Sequence, residues 1–295
     1  MTIDLRGHVV VVTGAAQGLG SAYAREVAAR GAAVLVTDVQ EEPLKVLADD
    51  IGRNGGIARA VAGDVTDPAL LDAIIDECIR RWGAVTGWVN NAGVERLQAI
   101  DAADPAATEL MIRVNLLGTA YGTAAAARIM RTQGSGLIVN VTSGAQHGMR
   151  HLAVYGATKG GIASLTYGAA IDLADTSVRV NAISPLANTQ MSVDGDLHFS
   201  AVDGQQIVVA PTLSAPRGIA PIVSFLVSGA AEGITGQVIR FDGTRLSIVR
   251  HPEIDTASTV SADGWTAESI ADAFTASLRS ALYLNEFASP ARPEA

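Results

Sequence analysis

The chain reads as an α/β protein: a doubly wound parallel sheet of about seven strands, with a helical extension at the C-terminus. Three observations predict this. Continuous apolar, β-branched runs such as Val9–Val12 recur along the chain, and uninterrupted apolarity marks strands buried on both faces. Stretches of helical periodicity separate those runs, as right-handed crossovers between parallel strands require. A glycine-rich turn, Thr13-Gly14-Ala15-Ala16-Gln17-Gly18-Leu19-Gly20, follows the first run and opens a helix.

The elements follow in order. Val9–Val12 is the first strand, and the helix after the glycine turn runs to about Arg30. Ala33–Thr37 is the second strand, with a helix near 41–53. Ile57–Val61 is the third, followed by a helical stretch over 67–82. Val85–Val89 and Leu137–Val141 are the fourth and fifth strands, and Ala- and Gly-rich helical patterns cover 106–131 and 153–175. Val178–Ile183 is the sixth strand. The stretch 186–215 is polar and loop-like, with one short strand at Ile207–Val209, and Val238–Phe241 is the last strand. No linker precedes residue 245, which predicts one domain over 1–244 and an extension over 245–295 that is not an independent domain. Within it 245–264 reads as irregular. Over 267–284, Ile270, Phe274, Leu278 and Leu282 share a helical face, Thr266 is placed to cap it, and Glu268 suits its positive end. That face fits either packing on its own domain or a neighbouring subunit, or a cover over the mouth of a pocket.

Composition narrows the functional classes. The 295 residues are 48% hydrophobic with a net charge of −9, and no Lys/Arg stripe is present, so nucleic acid is not an expected partner. The N-terminus lacks a basic start and a cleavage site, and no apolar segment is long enough to span a bilayer. The lone Cys78 excludes an intramolecular disulfide, and the five scattered His give no support for a metal. A cytoplasmic protein without a metal or a membrane partner is expected.

The glycine turn suits a dinucleotide. Gly14, Gly18 and Gly20 let the backbone approach a pyrophosphate at the positive end of the helix, with Gln17 and Leu19 between them. Asp38 ends the second strand, where a carboxylate accepts hydrogen bonds from the adenosine ribose and repels a 2′-phosphate. No Arg or Lys at 15–17 or 39–40 would welcome that phosphate, so the expected cofactor is NAD rather than NADP. Asp64-Val65 ends the third strand, near where an adenine would lie. Asn90-Asn91-Ala92-Gly93 ends the fourth: small residues there let the backbone touch a ligand, and Asn90 reads as structural. Tyr155 and Lys159 lie four apart, one turn from each other on a helix, and a nearby positive charge favours the phenolate. Tyr-x-x-x-Lys alone is common by chance.

Taken together, Thr13–Gly20, Asp64, Asn90–Gly93, Asn115, Ser143, Tyr155, Lys159 and the closing stretch 234–243 resemble the short-chain dehydrogenase/reductase family over about residues 5–243. The resemblance implies a Rossmann-type single domain, a nicotinamide cofactor, and hydride transfer between a secondary alcohol and a ketone. It implies that Tyr155 gives or takes the proton, and that Lys159 holds the nicotinamide ribose and lowers the tyrosine pKa. Ser143 would bind the reacting oxygen, and Asn115 would position a water that relays protons to Lys159. It also implies a four-helix interface built from 106–131 and 153–175, hence a homotetramer. Three departures stand out. The loop from the serine to Tyr155 is one residue short, so alignment on the fifth strand selects Ser143 and counting back from Tyr155 selects Thr142. Pro185-Leu186 replaces the usual Pro-Gly, which leaves the contact of Pro185 and Thr189 with the cofactor amide less constrained. The tail beyond Gly243 is long, as in relatives acting on 3-hydroxyacyl thioesters. A catalytically silent NAD-binding sensor is the alternative from another class, and an alkene reducer is disfavoured by the Tyr–Lys spacing. His147, Met149, Arg150, His151 and Leu152 precede Tyr155 and are candidates to line a pocket whose substrate the sequence does not name.

Overall fold

The computed structural model describes residues 2–187 and 214–282. Its first half alternates strand and helix: β1 (Val9–Thr13), α1 (Gly18–Ala29), β2 (Ala33–Asp38), α2 (Glu41–Arg53), β3 (Ile57–Ala62), α3 (Pro68–Trp82) and β4 (Gly87–Asn90). Then come α4 (Pro105–Met111), a π-helical turn over Ile112–Leu117, α5 (Gly118–Gln133), β5 (Ser135–Val141), α6 (Ala153–Asp172) and β6 (Ser177–Pro185). After residue 213 follow α7 (Pro216–Ile219), α8 (Pro221–Leu226), β7 (Val238–Phe241), β8 (Leu246–Val249) and α9 (Ala267–Ala276).

Among the described residues these strands form one sheet in the order β3-β2-β1-β4-β5-β6-β7-β8. Every pairing is parallel except β7 with β8, where Val238 faces Val249 and Phe241 faces Leu246. The chain winds outward from β1 in both directions. The order therefore reverses between β1 and β4, and a crevice opens at their carboxyl ends. β1 shows why the strands read as solidly apolar. Val10 and Val12 pack into one layer with Tyr23, Val27, Ile219 and Val223; Val9 and Val11 pack into the other with Ile74, Trp88 and Met130. Successive side chains point to opposite faces and both faces are covered. Each fully buried valine contributes roughly 1.5–3 kcal/mol. Cys78 is a buried member of the second layer.

The structure departs from the sequence reading in four places. The sheet has eight strands rather than about seven, because Leu246–Val249, within the stretch expected to be irregular, pairs with β7. The helix expected over 106–131 is α4 and α5 joined by the π turn. The one expected over 153–175 stops at Asp172. The one expected over 267–284 is α9, ending at Ala276, followed by a 3-10 turn over Leu278–Ala281. Thr266 caps α9 in a reciprocal pair: its hydroxyl accepts from the Ser269 amide at 3.2 Å, and the Ser269 hydroxyl accepts from the Thr266 amide at 2.9 Å. The expected strand at Ile207–Val209 lies outside the described residues. The chain divides into two compact units, Met1–Val249 and Arg250–Ala295, so β8 belongs to the first. Among the described residues no helix is long and apolar enough to cross a membrane, and no group of three or more His, Cys, Asp or Glu could hold a metal.

Candidate active site

Two strand tips meet at the crevice. A Cβ on Gly14 would lie 2.6 Å from the Ala92 Cα, so only glycine lets the end of β1 touch the end of β4. The contact is fixed by hydrogen bonds. The Asn91 side-chain amide donates to the Thr13 and Gly14 carbonyls, both at 3.0 Å. The Thr13 hydroxyl accepts from the Asn91 and Ala92 amides, both at 3.0 Å. Gly14 and Gly18 adopt φ of +62° and +57°. Gln17 precedes α1 without a side-chain capping bond, so the first amides of that helix remain open to an anion. Leu19 packs against the core below. Asp38 sits beside this turn: its carboxylate accepts from the Ala16 amide at 3.1 Å and from the Gln40 amide at 3.0 Å. Asp64 lies two residues past β3, exposed and bonded to the Thr66 amide at 2.9 Å, while Val65 is buried.

Asn90 is structural, as its sequence context suggested. It accepts from the Trp88 indole at 2.8 Å and donates to Asn140 at 2.9 Å and Thr123 at 3.1 Å. Asn140 in turn donates to Thr166 at 3.0 Å, so a buried polar chain ties β4 and β5 to α5 and α6.

Tyr155 and Lys159 project from the first turns of α6 beneath the same crevice. Tyr155 packs with Met111, Ala145 and Leu152. The Lys159 ammonium lies 5.5 Å from the Tyr155 ring centre and donates to the Val141 carbonyl at 2.9 Å. Burial pushes this ammonium down to about 8, with Glu95 opposing. Burial and then Glu95 push the Tyr155 phenol upward, with the Ser143 hydroxyl pulling the other way. In the free protein the phenol is thus governed by its own burial rather than by the lysine. Asn115 stands in the π turn. Its side chain accepts from the Val94 amide at 2.7 Å and donates to the Val94 carbonyl at 2.8 Å and the Thr158 hydroxyl at 3.2 Å. The Thr158 hydroxyl donates to the Tyr155 carbonyl at 2.7 Å, so one amide joins the loop after β4 to the helix of Tyr155.

Thr142 and Ser143 have different surroundings. The buried Thr142 hydroxyl is within hydrogen-bond reach of the Lys159 carbonyl at 2.9 Å and of Gln146 at 3.0 Å. Among the described residues Ser143 accepts one bond, from the Ala145 amide at 3.3 Å, and it lies beside the Tyr155 phenol. Leu186, where the family has glycine, continues the ladder by donating to the Phe241 carbonyl at 2.9 Å and has no positive φ. Pro185 faces Phe241 in that ladder, and Thr189 lies outside the described residues. Of the loop before Tyr155, Leu152 is buried while His147, Met149 and Arg150 are exposed; His151 is the one non-glycine among the described residues with positive φ, at 60°.

Glu95 went unread in the sequence. It is half-buried in the loop after β4, and burial pushes its carboxyl up to about 7, against the pull of Lys159. A lone carboxylate in a loop has no spacing to betray it. Only its place two residues past Gly93 was a signal.

Known proteins are similar to this chain in sequence and in fold. A family model described as short chain dehydrogenase matches residues 8–195. The cis-4-hydroxycyclohexanecarboxylate dehydrogenase of Sinomonas cyclohexanicum is 38% identical over 246 residues, 80% of this chain and 95% of that protein. The 3beta-hydroxysteroid dehydrogenase 1 of Eggerthella lenta is 34% identical over 81% of this chain and 94% of that protein. The crystal structure of a short chain dehydrogenase from Mycobacterium avium superposes with a TM-score of 0.76 at 29% identity, covering 92% of this chain and 96% of that one. Sequence and fold agree over nearly the whole length of these proteins, and the chain belongs to the short-chain dehydrogenase family.

Proposed function

We propose that this protein is an NAD-dependent oxidoreductase that interconverts a secondary alcohol and a ketone, with Tyr155 as the group that gives or takes the proton. The observation that carries the reading is the convergence of Ser143, Tyr155 and Lys159 on the carboxyl end of the sheet, beside the Gly14–Ala92 contact. The residues fit a dinucleotide. The uncapped start of α1 suits a pyrophosphate, and Gly18, Gly20, Asn91, Ala92 and Gly93 keep the surrounding backbone small or close-held. Asp38, held by two backbone amides, suits an adenosine ribose and opposes a 2′-phosphate. Asp64 and Val65 would border the adenine, and Pro185 and Thr189 the nicotinamide amide. The nicotinamide, when bound, supplies or accepts the hydride.

The chain's own residues do the rest. Ser143 donates a hydrogen bond to the reacting oxygen, where negative charge builds as a carbonyl is reduced. We assign this role to Ser143 because the Thr142 hydroxyl is engaged inside the fold. Tyr155 hands its proton to that oxygen in reduction and takes it back in oxidation, a contribution of about 10²–10⁴ in rate. Lys159 binds the ribose and biases the phenol toward ionisation once the pair is enclosed with substrate. Asn115 holds the loop after β4 and supports a water relay to Lys159. The chain assembles as a homotetramer through α5 and α6, whose neighbourhood exposes Leu110, Ile112, Leu117, Tyr121 and Ile171.

Both dehydrogenases named above carry in their names a hydroxyl on a ring, so cyclic secondary alcohols head the panel to be tried with NAD, followed by 3-hydroxyacyl thioesters. Formation of reduced cofactor is expected with at least one of them. Tyr155→Phe is expected to lose turnover by a factor of about 10²–10⁴ while NAD binding stays within a few-fold. Wild-type turnover in that variant would sink the assignment. Tight NAD binding without turnover of any alcohol would favour the silent sensor.

A further inference from the structure

Lys159 is a buried cation with little to hold it. It is 3% exposed, and its ammonium makes one hydrogen bond among the described residues, to a neutral carbonyl. An ammonium so placed is unfavourable unless an anion compensates. The acid that acts on it is Glu95, on the loop after β4. That loop runs against the ammonium: a Cβ on Gly93 would sit 3.5 Å from the Lys159 Nζ. The next residue, Val94, is gripped by Asn115 through both its amide and its carbonyl, and its side chain packs against the apolar cluster that contains Tyr155. The backbone therefore places residue 95 beside the Tyr155–Lys159 pair. The Glu95 carboxylate is half-buried and accepts no hydrogen bond among the described residues.

We propose that Glu95 is a positioning residue of the reaction: its negative charge keeps Lys159 protonated and sets the pH window in which Tyr155 exchanges its proton. This rests on the reading that Tyr155 and Lys159 carry the chemistry. Among the described residues the charged and titratable groups around Glu95 are Lys159 and Tyr155 from α6 and Arg96 beside it, whose guanidinium donates to the Glu95 carbonyl at 2.8 Å; Asn115 and Ser143 face the pair as neutral groups. With its carboxyl pushed to about 7, Glu95 is an anion above that pH; Lys159 stands at about 8 with this help, and without it burial would strip the ammonium of its proton at lower pH. A nearby anion raises the pKa of both an ammonium and a phenol. Removing it lowers both. Alcohol oxidation needs the phenolate and the charged lysine together, so the limbs of its pH profile that lie above about pH 7, where Glu95 is charged, move toward acid when Glu95 is neutralised.

The test is the pH dependence of kcat/KM for alcohol oxidation by the full chain and by Glu95→Gln. The part of the profile above about pH 7, where Glu95 is charged in the wild type, is expected to shift down by on the order of half to one pH unit. NAD binding, read by fluorescence quenching, is expected to stay within a few-fold. Glu95→Asp is expected to return most of the shift. Asn115 grips backbone, not the Glu95 side chain, so the variants are expected to fold; Glu95→Thr takes the place of any that does not. A profile that loses height but keeps its position overturns the proposal, as does loss of NAD affinity alone. Failure of the underlying reading looks different: it is Tyr155→Phe turning over like wild type, whatever Glu95→Gln does.

Discussion

Lys159 illustrates how a functional residue works against the fold that contains it. Its ammonium, ordinarily at 10.5, is pushed to about 8 by burial. A basic group whose folded pKa lies below its unfolded pKa destabilises the folded state. The penalty is complete below about pH 8 and disappears as pH rises through 10.5, because over that range the unfolded chain binds the extra proton. Lys159→Met removes the buried charge at similar volume. It is expected to raise the stability of the free protein near neutral pH by on the order of 1–3 kcal/mol, allowing for the lost bond to Val141, while ending activity. Chemical denaturation at pH 7 and near pH 10 checks this: the gain should shrink at the higher pH, and a variant less stable at both would contradict it. Asp38 is a second residue with a readable consequence. A fixed carboxylate near a 2′-phosphate is expected to cost about 2–4 kcal/mol at a part-exposed site, a preference for NAD of about thirtyfold to several hundredfold. Asp38→Ala is expected to narrow that preference at least about tenfold and to weaken NAD binding, since the carboxylate also holds the Ala16 and Gln40 amides. Equal kcat/KM with NADP in the wild type would remove the charge argument.

At the level of elements, the buried chain Trp88–Asn90–Asn140–Thr166 joins two central strands to the two helices behind them. Asn90→Ala leaves the Trp88 indole and the Asn140 carbonyl oxygen short of partners in the interior. The expected loss is about 2–4 kcal/mol, measured by urea unfolding, with the Tyr155 turn otherwise intact. A loss below about 0.5 kcal/mol would mean that Thr123 and water make good the missing bonds. Most elements were legible in the sequence because their pattern and their environment coincide. α2 spans the residues its periodicity indicated, and its buried side chains, Leu44, Leu47 and Ile51, are the ones the pattern places on one face. β8 was not legible: Leu246–Val249 is four residues long, and its pairing depends on a neighbour rather than on its own composition. The π turn was hidden for a different reason. Apolar spacing continues smoothly through Ile112–Leu117, and one widened turn does not disturb it. At the candidate site, Gly14, Asp38, Asn115, Tyr155 and Lys159 stood out as candidates because motif and fold context agreed. Glu95 could not, since its significance lies in what the loop packs against.

For the whole molecule, the exposed apolar residues beside α5 and α6 and the four-residue edge strand β8 both bear on assembly. Light scattering of the full chain is expected to give a tetramer, and a monomer would contradict that proposal. A chain ending at Val249 keeps β8 and is expected to stay folded. One ending at Gly243 uncovers the outer edge of β7 and is expected to aggregate more readily. If the two truncations behave alike, β8 has no protective role. The antiparallel turn into β8 also bears on the order in which the fold completes itself. Each parallel strand must wait for a crossover to return, and long closures are slow. β8 doubles back on β7 after only a few residues, with Phe241 meeting Leu246. The last strand of the sheet is therefore its most local contact, free to zip shut within microseconds of β7 docking, on the order of isolated hairpin formation.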